Sequence, residues 1–184
     1  MLVKTIFAGF GGQGVLMMGY SLAHAAMLEG YHTTYLPTYG VEVRGGTANC
    51  TVAISDEEIA SPVASAPEYL VILNSPSLYI FQNKIASGGG VFLNSSIIDM
   101  RPSRKDIQVF EIPAGEIADS IGNSKSTNIV MLGAFLNKTG LVKPESYLKG
   151  LKQIMGERKK AVMDVNRKAF SSGYDLFSKQ EESR

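Results

Sequence analysis

Cysteine occurs once in these 184 residues, at position 50. A lone thiol closes no disulfide within the chain and supplies no thiolate set for zinc or an iron–sulfur cluster. Positive charge is scarce over a long stretch: between Met1 and Asn83 the only cations are Lys4 and Arg44. Eighteen Lys and Arg against seventeen Asp and Glu leave a formal charge of +1, which makes no electrostatic case for nucleic acid or an acidic membrane as partner. Long apolar runs are missing as well. None reaches the length that spans a bilayer, and the amino-terminal run breaks at glycines, unlike a signal peptide. These absences predict a soluble, cytoplasmic protein.

What is present describes a globular chain. Hydrophobic residues make up 45% and charged ones 19%, enough apolar material for one core. The length suits a single domain over residues 1–184, with about 180–184 as a frayed tail. Eleven of the eighteen Lys and Arg residues follow Asn137, as on a solvated helical surface, so Arg44 stands nearly alone.

Residues 2–8 form a short, β-branched apolar run without alternation, as in a strand buried on both faces. Glycines stop it, residues 14–29 read as a helix closed by Gly30, and residues 33–36 read as a second strand. Strand, turn, helix and strand predict a right-handed βαβ unit and a three-layer α/β/α fold with a Rossmann-like, mainly parallel sheet. Further strands are expected at residues 47–54, 69–73, 91–94 and 107–112. Helices are expected at about 75–84, 116–121 and 128–137. Two amphipathic helices follow from the spacing of Tyr147, Leu148, Leu151, Ile154 and Met155, and of Ala161, Val162, Val165, Ala169 and Phe170. The first helix has little polar surface beyond Ser21 and His24, so its outer face needs a cover from this domain or, preferably, another chain.

Gly9, Gly11 and Gly14 satisfy the pattern G-x-G-x-x-G between a strand and a helix, where a backbone can approach a phosphate beside a positive helix end. An NAD- or FAD-binding oxidoreductase is the first reading to test. It fails on the next element: the second strand ends Tyr35-Leu-Pro-Thr38, with no acidic residue to hold a ribose, and Glu42 comes too late. A fourth glycine, Gly12, and the polar Gln13 also stand in the loop. A sharp strand-to-helix turn in a ligand-free α/β scaffold explains the glycines as well. The segment Tyr39-Gly-Val-Glu-Val-Arg-Gly-Gly46 is expected to face this loop across the carboxyl edge of the sheet. There Arg44 either pairs with a carboxylate such as Glu42 or holds an anionic ligand or interface group.

Other candidates read as structural. His24 and His32 have no nucleophile or carboxylate in catalytic spacing, and Cys50 lies in an apolar strand as a core thiol. Ser124-Lys-Ser-Thr-Asn128 reads as a helix cap, with Lys125 as an alternative phosphate contact. No residue is assigned a catalytic or metal-binding role.

Gly9-Phe-Gly-Gly-Gln-Gly-Val15 and Tyr39-Gly-Val-Glu-Val-Arg-Gly-Gly46 together resemble the gamma subunit or domain of 2-oxoacid:ferredoxin oxidoreductases. Ile54-Ser-Asp-Glu-Glu-Ile-Ala-Ser-Pro62 and Asn128-Ile-Val-Met-Leu-Gly-Ala134 extend the likeness over nearly the whole chain. It is nearest to the gamma subunit of 2-oxoglutarate:acceptor oxidoreductase. The resemblance implies oxidative decarboxylation of a 2-oxoacid to an acyl-CoA, carbon dioxide and low-potential electrons. Thiamine diphosphate, magnesium and iron–sulfur clusters would lie on alpha, beta and ferredoxin-like delta partner subunits, because this chain has no G-D-G…N-N segment and one cysteine. The chain itself would be a non-catalytic assembly element, open to a homodimer contact. Gly9, Gly11, Gly12, Gln13, Gly14 and Arg44 would touch coenzyme A or a partner chain.

Overall fold

A computed structural model describes residues 1–39, 47–156 and 160–181. The apolar runs form one six-stranded sheet in the order β2-β3-β1-β4-β5-β6. Its strands are β1 (Leu2–Phe10), β2 (His32–Tyr39), β3 (Thr47–Ser55), β4 (Tyr69–Ile72), β5 (Gly90–Asn94) and β6 (Gln108–Ile112). The helices are α1 (Val15–Leu28), α2 (Ser75–Phe81), α3 (Ala114–Ser120), α4 (Thr127–Thr139), α5 (Pro144–Met155), α6 (Lys160–Tyr174) and α7 (Leu176–Glu181), with a 3-10 turn over Ser124–Ser126.

The sheet is mainly parallel, as expected, but its opening unit is split. β1, β4, β5 and β6 are parallel neighbours. β3 runs against β1 from Leu2↔Ser55 to Phe10↔Thr47, and against β2 from His32↔Ser55 to Tyr39↔Ala48. Thus β1 and β2 point the same way with β3 between them, so the predicted βαβ unit does not place its strands side by side. The length of the connection 40–46 accounts for the reversal from β2 into β3. A parallel crossover needs about a dozen residues or more, whereas a short link can only turn the chain back antiparallel.

Alternation along β1 divides the core. Phe7 packs on one face with Cys50, Val52, Val71, Phe92 and the helices α1, α3 and α4. Ile6 and Ala8 point to the other, where Leu78 and Phe81 of α2 join Ile85 and Ile98. The three layers are unequal: α4 is buried from Asn128 to Leu136 because α6 lies over it, while the opposite face has α2 and loops. Phe135 of α4 sets its ring edge-on to Phe7, Tyr69 and Phe92, at centroid separations of 5.8, 5.6 and 5.1 Å. Against α1 lies α5, whose Gly150 sits beside His24 and Ala25. The domain therefore covers part of the apolar helix itself, and Met17, Tyr20, Met27 and Leu28 stay exposed.

Among the described residues beyond α4 there are three helices where periodicity predicts two. α7 is too short to show a period, yet its Phe177 is buried and stands edge-on to Phe110 at 5.8 Å. α7 runs to Glu181, into the expected tail, of which residues 182–184 lie outside the described residues. Among the described residues no helix is long and apolar enough to cross a membrane.

Candidate functional site

β1 and β4 lie side by side, but the chain leaves β1 toward β2 and β3 and leaves β4 toward β5 and β6. The two loops diverge at the carboxyl ends of the strands, which opens a crevice where α/β sheets bind ligands. A cleft of about 440 Å³ lies there, within the size range of small-molecule sites. It is lined by Gly12 and Gln13 after β1, Leu73 after β4, Asn94 at the end of β5, and Lys125 before α4, among others.

The glycine loop is shaped by its backbone. Gly12 and Gly14 have φ of +96° and +76°, the left-handed region that glycine enters without strain. At Gly14 an added Cβ would also lie 2.3 Å from the Asn128 amide nitrogen, which donates to the Gly14 carbonyl at 3.4 Å. The turn alone therefore accounts for these glycines. Gln13 folds back on the loop: its Oε1 accepts from the Phe10 N–H at 2.7 Å and from Asn74 Nδ2 at 3.2 Å. Its Nε2 donates to the Leu73 carbonyl at 3.4 Å.

The Asn128 contact brings the amino ends of α1 and α4 together beside the cleft. Neither helix has a side-chain cap or an acidic residue in its first turn. The cap predicted at Ser124–Asn128 is not made. Ser126 stands at the cap position, but its hydroxyl accepts from Asn123 at 2.9 Å and donates to Asn166 at 3.4 Å. Thr127 instead donates to the Ser124 carbonyl at 2.8 Å. The exposed Lys125 adds a charge to two positive helix ends, a combination that attracts anions. Asn94 is only 2% exposed; its Oδ1 accepts from the Ser96 N–H at 3.4 Å.

Arg44 lies outside the described residues, as do the rest of 40–46. The flanks are described: Thr47 pairs with Phe10, and Tyr39 pairs with Ala48, so the segment leaves and re-enters the sheet at the edge where the glycine loop begins. The histidines are not brought together. His24 Nε2 bonds Gln153 at 2.9 Å and its ring stacks on Tyr20, while His32 is exposed at the start of β2. Cys50 is fully buried, with its thiol directed at the Val15 carbonyl 3.6 Å away, and burial pushes its pKa up to about 12. It is the core thiol that the sequence predicts. Among the described residues no three His, Cys, Asp or Glu side chains gather as metal ligands. Asn74 and Asn94 escape sequence reasoning, though each is a polar residue closing a buried parallel strand, a position worth singling out.

The model of the pyruvate ferredoxin/flavodoxin oxidoreductase family matches residues 4–176. The ketoisovalerate oxidoreductase subunit VorA of Methanothermobacter thermautotrophicus is 41% identical over 173 residues, 93% of this chain and 35% of the relative. The chain thus spans about a third of that relative's length. The 2-oxoglutarate synthase subunit KorC of Methanocaldococcus jannaschii is 35% identical over 173 residues, 92% of this chain and 90% of the relative. Among solved structures, the gamma subunit of a keto/oxoacid ferredoxin oxidoreductase from Geobacter sulfurreducens superposes with a TM-score of 0.81 at 27% identity, covering 94% of this chain and 96% of the other.

Proposed function

The chain belongs to the pyruvate ferredoxin/flavodoxin oxidoreductase family, and on that premise we propose that it is the gamma-type subunit of a cytoplasmic, multi-subunit 2-oxoacid:acceptor oxidoreductase. The assembly converts a 2-oxoacid and coenzyme A to an acyl-CoA and carbon dioxide, passing two electrons to an acceptor such as ferredoxin. The observation that carries this reading is the dual likeness of the chain. It aligns with nearly all of a relative named as a separate subunit and with a third of a longer one. One domain that occurs both alone and within a larger chain suits a module that packs against the remaining parts of one enzyme.

Thiamine diphosphate, magnesium and iron–sulfur clusters then reside on alpha, beta and delta partners. We assign 2-oxoglutarate as substrate from the resemblance of the motifs. The named relatives span ketoisovalerate and 2-oxoglutarate, so the oxoacid turned over by the co-purified complex tests that assignment. The contribution of this chain is assembly and a contact with the anionic diphosphate of coenzyme A, made by Gly11, Gly12, Gly14, Arg44 and Lys125; Gly9 is buried within β1 and leaves that set. Two helix amino ends and Lys125 at one cleft support that contact. Co-purification from the native source tests the assembly. Arg44→Ala and Lys125→Ala in the full complex test the contact: a raised KM for coenzyme A is expected. An unchanged KM together with unchanged subunit association removes the assignment.

The independent dinucleotide-binding reading loses its geometry as well as its acidic residue. In such sites the second strand lies beside the first, and its end reaches the ribose. Here β3 intervenes, which moves β2 out by a further strand spacing of about 4.8 Å.

A further inference from the structure

The sequence offers Gln13 as a ligand contact, but its carboxamide is engaged with the protein. Oε1 takes two donors, the Phe10 N–H and Asn74 Nδ2, and Nε2 reaches the Leu73 carbonyl. Asn74 is 3% exposed and divides its own carboxamide: Nδ2 serves Gln13, while Oδ1 accepts the Ser77 N–H at 2.9 Å and so caps α2. Gly9 completes the arrangement, because a Cβ there would lie 2.7 Å from Gln13 Oε1 and 2.8 Å from Val15. The missing side chain at position 9 is the space the carboxamide occupies.

We propose that Gln13 and Asn74 form a latch across the switch point, a positioning pair that fixes the glycine loop against the β4–α2 turn and so sets where the Gly11 and Gly12 backbone meets the ligand. The proposal rests on the coenzyme A contact above for its effect on turnover, but not for its effect on the loop. The loop is otherwise exposed at Gly11 and Gly12, and Gly12 has no neighbour within 4 Å of a Cβ position, so side-chain packing does not hold it. Two hydrogen bonds within the loop, Gln13 N–H to the Phe10 carbonyl at 3.2 Å and Phe10 N–H to Gln13 Oε1, close the turn. The bonds to Asn74 and Leu73 tie that closed turn to the neighbouring strand. Gln13 touches the cleft wall, yet it acts through the backbone it holds.

Three variants in the reconstituted complex separate the latch from ordinary packing. Gln13→Ala removes all three side-chain bonds. Gln13→Glu keeps the acceptor for Phe10 and Asn74. Asn74→Ser keeps a capping oxygen for α2 but is too short to reach Gln13. Amide hydrogen exchange of the loop peptide is read beside steady-state kinetics and thermal unfolding. Gln13→Ala and Asn74→Ser are expected to speed loop exchange and raise the KM for coenzyme A by roughly five- to tenfold, the scale of one lost hydrogen bond. The kcat and the KM for the 2-oxoacid should move far less, and Gln13→Glu, which adds negative charge at the cleft, should recover part of the loop protection without recovering the KM for coenzyme A. Unchanged loop exchange in Gln13→Ala overturns the latch. Faster exchange with an unchanged KM, while Lys125→Ala raises it, overturns its positioning role. If neither Lys125→Ala nor Arg44→Ala raises the KM, the ligand reading fails, and loop exchange alone still decides whether the latch exists.

Discussion

Gly14 carries two constraints at once, a left-handed backbone and a side-chain amide pressed against its α-carbon. Gly12 carries only the first, since its surroundings are open. Alanine at either position meets the left-handed penalty of about 1–2 kcal/mol, and at position 14 it must also displace Asn128. Gly14→Ala should therefore lower the unfolding free energy by more than Gly12→Ala in urea titrations; equal losses would mean that Asn128 yields without cost. Cys50 makes the opposite case, a reactive residue type silenced by its place. With no exposure and a pKa pushed up to about 12 by burial, little thiolate exists at pH 8. Maleimide should label it only after denaturant is added, and rapid labelling of the native chain would contradict its burial. The glycines and Cys50 were legible in the sequence because their chemistry is local. The roles of Asn74 and Asn128 were not, because each depends on a partner far along the chain.

Helices and strands were legible wherever a hydrophobic period could run its course. The apolar runs of β1, β4 and β5 locate those strands within a residue or two of their ends, and the period of α5 and α6 finds those helices while missing up to a turn at their ends. Neighbour relations were harder. The antiparallel direction of β3 follows from the short 40–46 connection, whereas its place between β1 and β2 is written in no local feature of the β3 run. The α4–α6 pairing is another relation that composition does not announce. A Cβ on Gly133 would stand 2.2 Å from the Phe170 carbonyl oxygen, and one on Gly173 would stand 2.0 Å from that of Val130. These are backbone obstacles, so no side-chain rotation relieves them and the helices must part. Gly133→Ala and Gly173→Ala should each lower stability by about 1–3 kcal/mol, the usual cost of overpacking. Because both relieve or strain the same crossing, the double variant should cost less than the sum of the two. Additive losses in a double-mutant cycle would mean that the glycines act at independent contacts.

At the scale of the whole molecule the chain combines a well-filled core with an open cleft and exposed apolar side chains. Helices stack two deep on one face of the sheet, while the cleft at the switch point offers helix ends, Lys125 and amides. Among the described residues lining the cleft none is a nucleophile paired with a base, and Cys50 is sealed in the core. Met17, Tyr20, Met27 and Leu28 leave an apolar stripe on α1, and Tyr79 on α2 is 75% exposed. The proposed function makes catalysis depend on the rest of the assembly. Purified alone and supplied with 2-oxoglutarate, coenzyme A, thiamine diphosphate, magnesium and a viologen dye, it should reduce no dye. It should also bind NAD no more tightly than millimolar in calorimetry, since no acidic residue closes β2 beside β1. Adding thiamine-carrying partner subunits should restore dye reduction in proportion to the complex formed. Dye reduction by the lone chain, or micromolar NAD binding, would instead identify an independent oxidoreductase whose site lies elsewhere than this cleft.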